Sequence, residues 1–166
     1  MTRRRPAKPR APASPAVSVA DLQRRKVDLR KVEALAAHVL VAEGRPHAAL
    51  SVTLVDDEAM AELHARYSKV EGPTDVLAFP LDDGDGPGPA LLGEVVVSTD
   101  TAAREARARG LPFARELLLY VAHGTLHLLG HDDHEPRRRR RMHRRQAALL
   151  AAFLEAPAPK RGSARV

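Results

Sequence analysis

Leu117-Leu118-Leu119-Tyr120-Val121-Ala122-His123-Gly124-Thr125-Leu126-His127-Leu128-Leu129-Gly130-His131-Asp132-Asp133-His134 is the stretch on which the reading of this chain turns. Residues 117–129 form an apolar, helix-compatible run, and Gly130 stands where a helix commonly stops and the chain must turn. His123 and His127 are four residues apart, which puts both side chains on one helix face. Two imidazoles so placed can hold a single metal ion, as in zinc hydrolases. Beyond the turn, His131, Asp132, Asp133 and His134 are all possible further ligands. A third ligand returned by the turn leaves one coordination position for water, the mark of a catalytic rather than a structural site. Gly124 stands where the metalloprotease pattern H-E-x-x-H places its glutamate base, so a protease of that type is disfavoured. Water activation would then rest on the metal, which can lower the pKa of a bound water to about 7.

With 166 residues, 44% hydrophobic and 29% charged, the chain is long enough for one domain with a real core. The absence of cysteine excludes disulfides and thiolate ligands and fits an intracellular setting. No apolar run approaches the roughly 18 residues of a membrane span, and the N-terminal arginines have no apolar segment behind them, as a secretory signal would require. A cytoplasmic protein without membrane association is expected. There is no Gly-rich phosphate loop, so no nucleotide cofactor is expected, and no internal repeat.

The net charge of +6 is unevenly placed. Residues 1–15 carry five basic and no acidic side chains, and residues 156–166 carry three basic and no acidic ones. Without those eight positive charges, residues 16–155 carry −2. Within them, residues 137–145 hold seven arginines and no acid, so the rest of the body carries −9. Basic segments on an acidic body read either as nucleic-acid contacts or as solvated surface, and composition does not choose between them.

Three regions follow. Residues 1–16, rich in Pro, Ala and Arg, read as a disordered basic tail; 17–155 as the folded domain; 156–166 as a second disordered basic tail. Inside the domain, 17–19 read as a short strand and 28–43 as a helix with apolar positions Leu29, Val32, Leu35, Ala36, Val39 and Leu40, ended by Gly44. A strand is expected over 49–55, then a helix over 57–66 capped by Asp56. Gly72-Pro73-Thr74 breaks the chain before a strand at 75–79, and 82–89 read as a turn or exposed loop. A strand over 91–98 leads to a helix capped by Thr99 or Asp100 and running to about Arg109. The helix bearing the histidine pair follows Gly110-Leu111-Pro112, and Pro136 opens a final helix to about Leu154. Asp132 is a candidate cap for that last helix.

Four segments together resemble one family, the YbeY-type rRNA maturation endoribonucleases. They are Val52-Thr53-Leu54-Val55-Asp56-Asp57-Glu58, Gly72-Pro73-Thr74-Asp75-Val76-Leu77-Ala78-Phe79-Pro80, Leu92-Gly93-Glu94-Val95-Val96-Val97-Ser98, and the histidine segment 123–130. Their order and intervals match the family over roughly residues 28–150. The resemblance implies a single α/β (α+β) domain, with a small, mostly four-stranded mixed sheet packed with about five helices and a zinc site at the end of a central helix. It further implies one Zn²⁺ per chain and cleavage of single-stranded RNA. The setting implied is late rRNA processing at the 3′ end of 16S rRNA and ribosome quality control, with rRNA and the ribosomal small subunit as partners.

The chain departs from that pattern twice. The family's third ligand is usually a histidine six residues after the second; here that position is Asp133, and the histidine comes one later, at His134. A carboxylate is an acceptable zinc ligand, so the expected set is His123, His127 and Asp133, with His134 the alternative if the turn holds an extra residue. His131 fills a position often taken by tyrosine and is expected to flank the site. The second departure is Ser68, where many members carry an arginine after the tyrosine that here is Tyr67. Lys69 or Arg66 are the candidates to contact phosphate in its place, against the plainer reading of both as solvated charges. Thr74 is a candidate to face the cleft. Arg137, Arg138, Arg139, Arg140 and Arg141, in a region the family fills with acids, are candidate RNA-backbone contacts.

The mechanism expected is metal-assisted phosphodiester cleavage, with His123 and His127 acting through the ion and either water or the neighbouring 2′-OH as nucleophile. No side chain stands out as general base. Aromatic residues make up 3% of the chain, which argues against recognition by base stacking. The rival readings are a metal-dependent hydrolase of another substrate and a non-catalytic ribosome-assembly factor with a structural metal.

Overall fold

The computed structural model describes residues 14–68, 75–81 and 91–156. Residues 1–13 and 157–166 of the two tails, Lys69, the break at Gly72-Pro73-Thr74 and the segment 82–89 lie outside the described residues. Four strands, β1 (Ala16–Asp21), β2 (Ala49–Val55), β3 (Val76–Pro80) and β4 (Leu91–Ser98), form one sheet in the order β1-β2-β4-β3. β1 and β2 pair in parallel, as do β2 and β4, while β3 runs antiparallel to β4 at the edge. The helices are α1 (Leu29–Ala42), α2 (Asp57–Ser68), α3 (Thr99–Arg109), α4 (Phe113–Leu128) and α5 (Pro136–Glu155). The mixed four-stranded sheet and about five helices that the resemblance implies are present among the described residues.

Side chains alternate across the sheet, and the two faces are used differently. Leu50, Val52 and Leu54 of β2, with Val95 and Val97 of β4, join the main core beneath α1, α4 and α5. Val55 and Val96 point the other way, onto Met60 of α2. The central helix is α4, which packs against α1, α3, α5, β3 and β4. Burying Leu117, Leu118 and Leu126 contributes about 1.5–3 kcal/mol each. A mid-helix glycine such as Gly124 costs only about 1 kcal/mol. Packing therefore decides that this segment stays helical through its glycine.

Local signals placed most element ends. Asp28 Oδ1 accepts from Lys31 N (3.1 Å) at the start of α1, and Asp56 Oδ1 accepts from Ala59 N (2.8 Å) at the start of α2. Two cap expectations are corrected. Ser98, the last residue of β4, caps α3 by accepting from Thr101 N (3.2 Å). Thr99 instead donates to Gln23 and to Val55 O, and Asp100 accepts from Arg25 and from Asp57 N. Their hydroxyl and carboxylate serve neighbouring segments and are not available to the helix they begin. Likewise Asp132 turns back on its own loop, accepting from His134 N (2.8 Å), and Glu135 occupies the N-cap of α5 without a side-chain capping bond.

Asp57 ties α2 to α3. Its carboxylate accepts from Ser98 Oγ (2.7 Å) and Thr101 Oγ1 (2.9 Å) and pairs with Arg104. Burial opposes its ionisation, but the hydrogen bonds from Arg104, Ser98 and Thr101 outweigh burial and hold the carboxyl below its ordinary pKa. A carboxyl with a depressed folded-state pKa stabilises above its unfolded value, about 3.9, and that contribution is lost as pH falls through the folded value. Asp57→Asn should therefore cost about 1–3 kcal/mol at neutral pH, with the gap to wild type closing below about pH 4. Urea unfolding of both proteins at pH 7 and pH 3 checks this.

Candidate metal centre

The site begins with how closely α4 lies on the sheet. A Cβ added at Gly124 would stand 2.5 Å from Val95 Cγ1 and 2.9 Å from Val76 Cγ2. Position 124 is therefore the contact point between helix and sheet, and any larger side chain would push the helix off it. This is the physical reason that no glutamate stands beside His123: the position points into packed β3 and β4. His123 and His127 lie on the adjoining flank of α4, next to α5.

On that flank the two imidazoles converge, with His123 Nε2 and His127 Nε2 3.1 Å apart. Asp133 Oδ2 lies 3.5 Å from His127 Nε2 and 3.8 Å from His123 Nε2. The three side chains offer ligand atoms all within 4.8 Å of one another, a group that could hold a metal ion. All three are half-buried. Burial and the neighbouring His123 push the pKa of His127 below the usual imidazole range, against the smaller opposing pull of Asp133. Its lone pair is thus available at neutral pH, as a metal ligand requires.

Asp133 is brought back by a tight helix end. Gly130 takes φ 96°, and Gly130 N and His131 N donate to His127 O (3.1 Å) and Leu126 O (3.0 Å), a Schellman termination. The turn is then pinned from outside. His131 Nε2 donates to Glu43 Oε2 (3.0 Å), and Arg145 Nε donates to the other oxygen of the same carboxylate (2.5 Å). Burial opposes the charge on Glu43, but Arg145 and His131 together hold its pKa below the ordinary value. Arg139 Nε donates to Asp133 O (3.0 Å), fixing the backbone of the third residue from α5.

His134 is placed differently. Its side chain is 90% exposed and pairs with Asp132 at 3.8 Å. Asp132, Asp133 and His134 form a second, looser cluster on the surface of the loop. Of the two candidates for third partner, Asp133 is the one that faces both histidines. His131, expected to flank the site, does so by holding the turn. Arg66 sits exposed on α2, lining a groove of about 610 Å³ with Tyr67, Phe79 and Glu94 on the sheet face turned away from α4. Among the described residues it makes no contact with the histidines. Arg137, Arg140 and Arg141 are exposed, while Arg138 pairs with Asp132 and Glu135 and Arg139 holds Asp133.

Sequence reasoning missed Gln146, Glu43 and Arg145. His123 Nδ1 and Gln146 Oε1 are 2.7 Å apart. A signal for Gln146 was present, since Met142, Gln146, Leu149, Leu150 and Phe153 recur at helical spacing and mark the α5 face turned inward. Glu43 lies 102 residues from Arg145 in the chain, and no local pattern joins the two.

Known proteins resemble the chain along most of its length. Residues 18–154 match the family described as Endoribonuclease YbeY. A relative named Endoribonuclease YbeY from Kineococcus radiotolerans is 48% identical over 140 residues, covering 80% of each chain. One of the same name from Salinispora tropica is 44% identical over 149 residues, covering 82% of this chain and 95% of the relative. The solution structure of TM1509 from Thermotoga maritima superposes with a TM-score of 0.57 at 28% identity, covering 82% of this chain and 89% of that one. With the fold, the histidine helix and this extent of similarity in agreement, the chain belongs to the YbeY endoribonuclease family.

Proposed function

We propose that this chain is a single-strand-specific, zinc-dependent endoribonuclease that acts in the cytoplasm on the 3′ end of 16S rRNA and in ribosome quality control, with the ribosomal small subunit as its partner. Family membership makes it an endoribonuclease. The observation that carries the metal reading is the convergence of His123, His127 and Asp133. Zinc–ligand bonds of roughly 2.0–2.1 Å in a tetrahedron place ligand atoms about 3.3 Å apart. The separations here, 3.1, 3.5 and 3.8 Å, need only small adjustment to meet that. Two imidazole nitrogens and one carboxylate oxygen are also a donor set that zinc enzymes use with a fourth position open.

In the proposed reaction His123, His127 and Asp133 would hold one Zn²⁺, which would supply Lewis-acid polarisation of the scissile phosphate. The nucleophile is either water or the neighbouring 2′-OH. Burial and the neighbouring His123 lower the pKa of His127, which favours the neutral ring that a metal ion needs. Arg66, which lines the groove on the sheet face turned away from α4, and Lys69, outside the described residues, are candidates to contact phosphates of the RNA away from the ion.

The arginines of α5 supply the wider contact with RNA. Arg137, Arg140, Arg141 and Arg144 fall within an arc of about 100° on the side opposite the buried stripe. They are exposed. Facing away from the histidines, they suit RNA backbone outside the cleavage point rather than the scissile phosphate.

Three outcomes are expected. Tag-free wild-type protein should carry about one zinc per chain by elemental analysis, lost in Asp133→Ala and kept in His134→Ala; zinc-free wild-type protein would remove the metal mechanism. His127→Ala should abolish cleavage of single-stranded RNA in a gel assay while RNA affinity changes little, whereas a pure assembly factor would show no cleavage in either form. Replacing Arg137, Arg140, Arg141 and Arg144 together by glutamine should weaken RNA binding. It should also flatten the dependence of log affinity on log salt by about 0.7 for each phosphate that is no longer neutralised, with the single-turnover cleavage rate at saturating enzyme unchanged.

A further inference from the structure

His123 Nδ1 lies 2.7 Å from Gln146 Oε1, across the interface between α4 and α5. The amide is not a loose surface group that happens to be near. It sits on the inward stripe of α5 between Met142, Leu149 and Leu150, all of them buried. The same helix reaches the other parts of the cluster through Arg139, on the backbone of Asp133, and through Arg145, on Glu43 beside His131. Gln146 is the one of these that meets a histidine ring directly.

The chemistry of that contact is one-sided. An amide oxygen only accepts, so the imidazole must present Nδ1–H to it, which leaves Nε2 with its lone pair. His123 Nε2 is the atom 3.1 Å from His127 Nε2 and 3.8 Å from Asp133 Oδ2. With the amide reversed, its NH₂ would force the proton onto Nε2, and His123 could not serve as a ligand. A partner on the far nitrogen also fixes the ring plane, so the lone pair is aimed before any ion arrives.

We infer that Gln146 is a positioning residue for the metal centre: it holds His123 in the Nδ1–H tautomer with Nε2 directed at the ion. The inference rests on the reading of His123, His127 and Asp133 as metal ligands. Gln146 itself touches neither the ion nor RNA. Its contribution is metal affinity, and the rate of cleavage follows only through occupancy.

The test uses the full chain, stripped of metal and titrated with Zn²⁺ against a chromophoric chelator. It compares wild type, Gln146→Met and Gln146→Glu. Methionine keeps the length and packing of the side chain but offers no comparable acceptor; glutamate keeps the acceptor. Gln146→Met should bind zinc about 10- to 100-fold more weakly, with its metal-free melting temperature close to wild type, and Gln146→Glu should bind as tightly as wild type or tighter. Equal affinity in wild type and Gln146→Met overturns the inference and leaves the metal site standing. Equal loss in Met and Glu variants also overturns it, because then the side chain matters for packing and not as an acceptor. No zinc binding by wild type overturns the metal reading and this inference with it. A measurement that needs no variant is the ¹⁵N spectrum of metal-free wild-type protein above pH 8. Protonated Nδ1 on His123 is the expected result, and protonated Nε2 overturns the inference.

Discussion

The close seating of α4 on the sheet at Gly124 is the constraint on which the rest of the molecule depends. With valine methyls from β3 and β4 where a Cβ would stand, the helix can lie only at this depth and rotation. That rotation carries His123 and His127 to the flank beside α5 and keeps both half-buried. It also buries Leu117, Val121 and Leu126. The same contact removes position 124 from the site, so a base supplied by the residue after the first histidine, as in the metalloprotease pattern, has no room here.

A second tier of contacts turns a pair of histidines into a three-sided cluster. The left-handed turn at Gly130 reverses the chain, and Glu43 at the end of α1 receives both His131 and Arg145. Each contact is modest: a part-exposed ion pair contributes at most about 1 kcal/mol. Their value lies in being concerted, because one carboxylate joins α1, the turn and α5. Arg139 and Gln146 complete the arrangement from the α5 side. The last helix, whose composition suggests only a cationic surface, thus has two faces. The inner one supports the cluster, and the outer one carries arginines into solvent.

Legibility along the sequence followed the range of the forces involved. β2 and β4 appear at their expected boundaries, and α1 falls within one residue of its expected span. Hydrophobic period and flanking turn residues are local and sufficient there. Cap identities were less secure, because Ser98, Thr99 and Asp100 all have capping chemistry and only their tertiary partners decide which one is free to cap. The choice between Asp133 and His134 as third partner was open for a similar reason. Both are ligand types one residue apart, and successive positions in a loop need not face the same way.

What the linear order of residues settles is the chemistry available: two histidines at helical spacing, a glycine stop, a carboxylate-rich turn, and the strands and helices that carry them. These depend on periodicity and residue type within a few turns of chain. What required the tertiary structure is which of those groups meet. Asp133 faces the histidines while His134 points to solvent, Gln146 lies against His123, and Glu43 holds a turn nearly ninety residues further along the chain. Such pairings depend on how α1, α4 and α5 stack on one face of the sheet. That stacking is decided by the packing of the whole core, and no short segment encodes it.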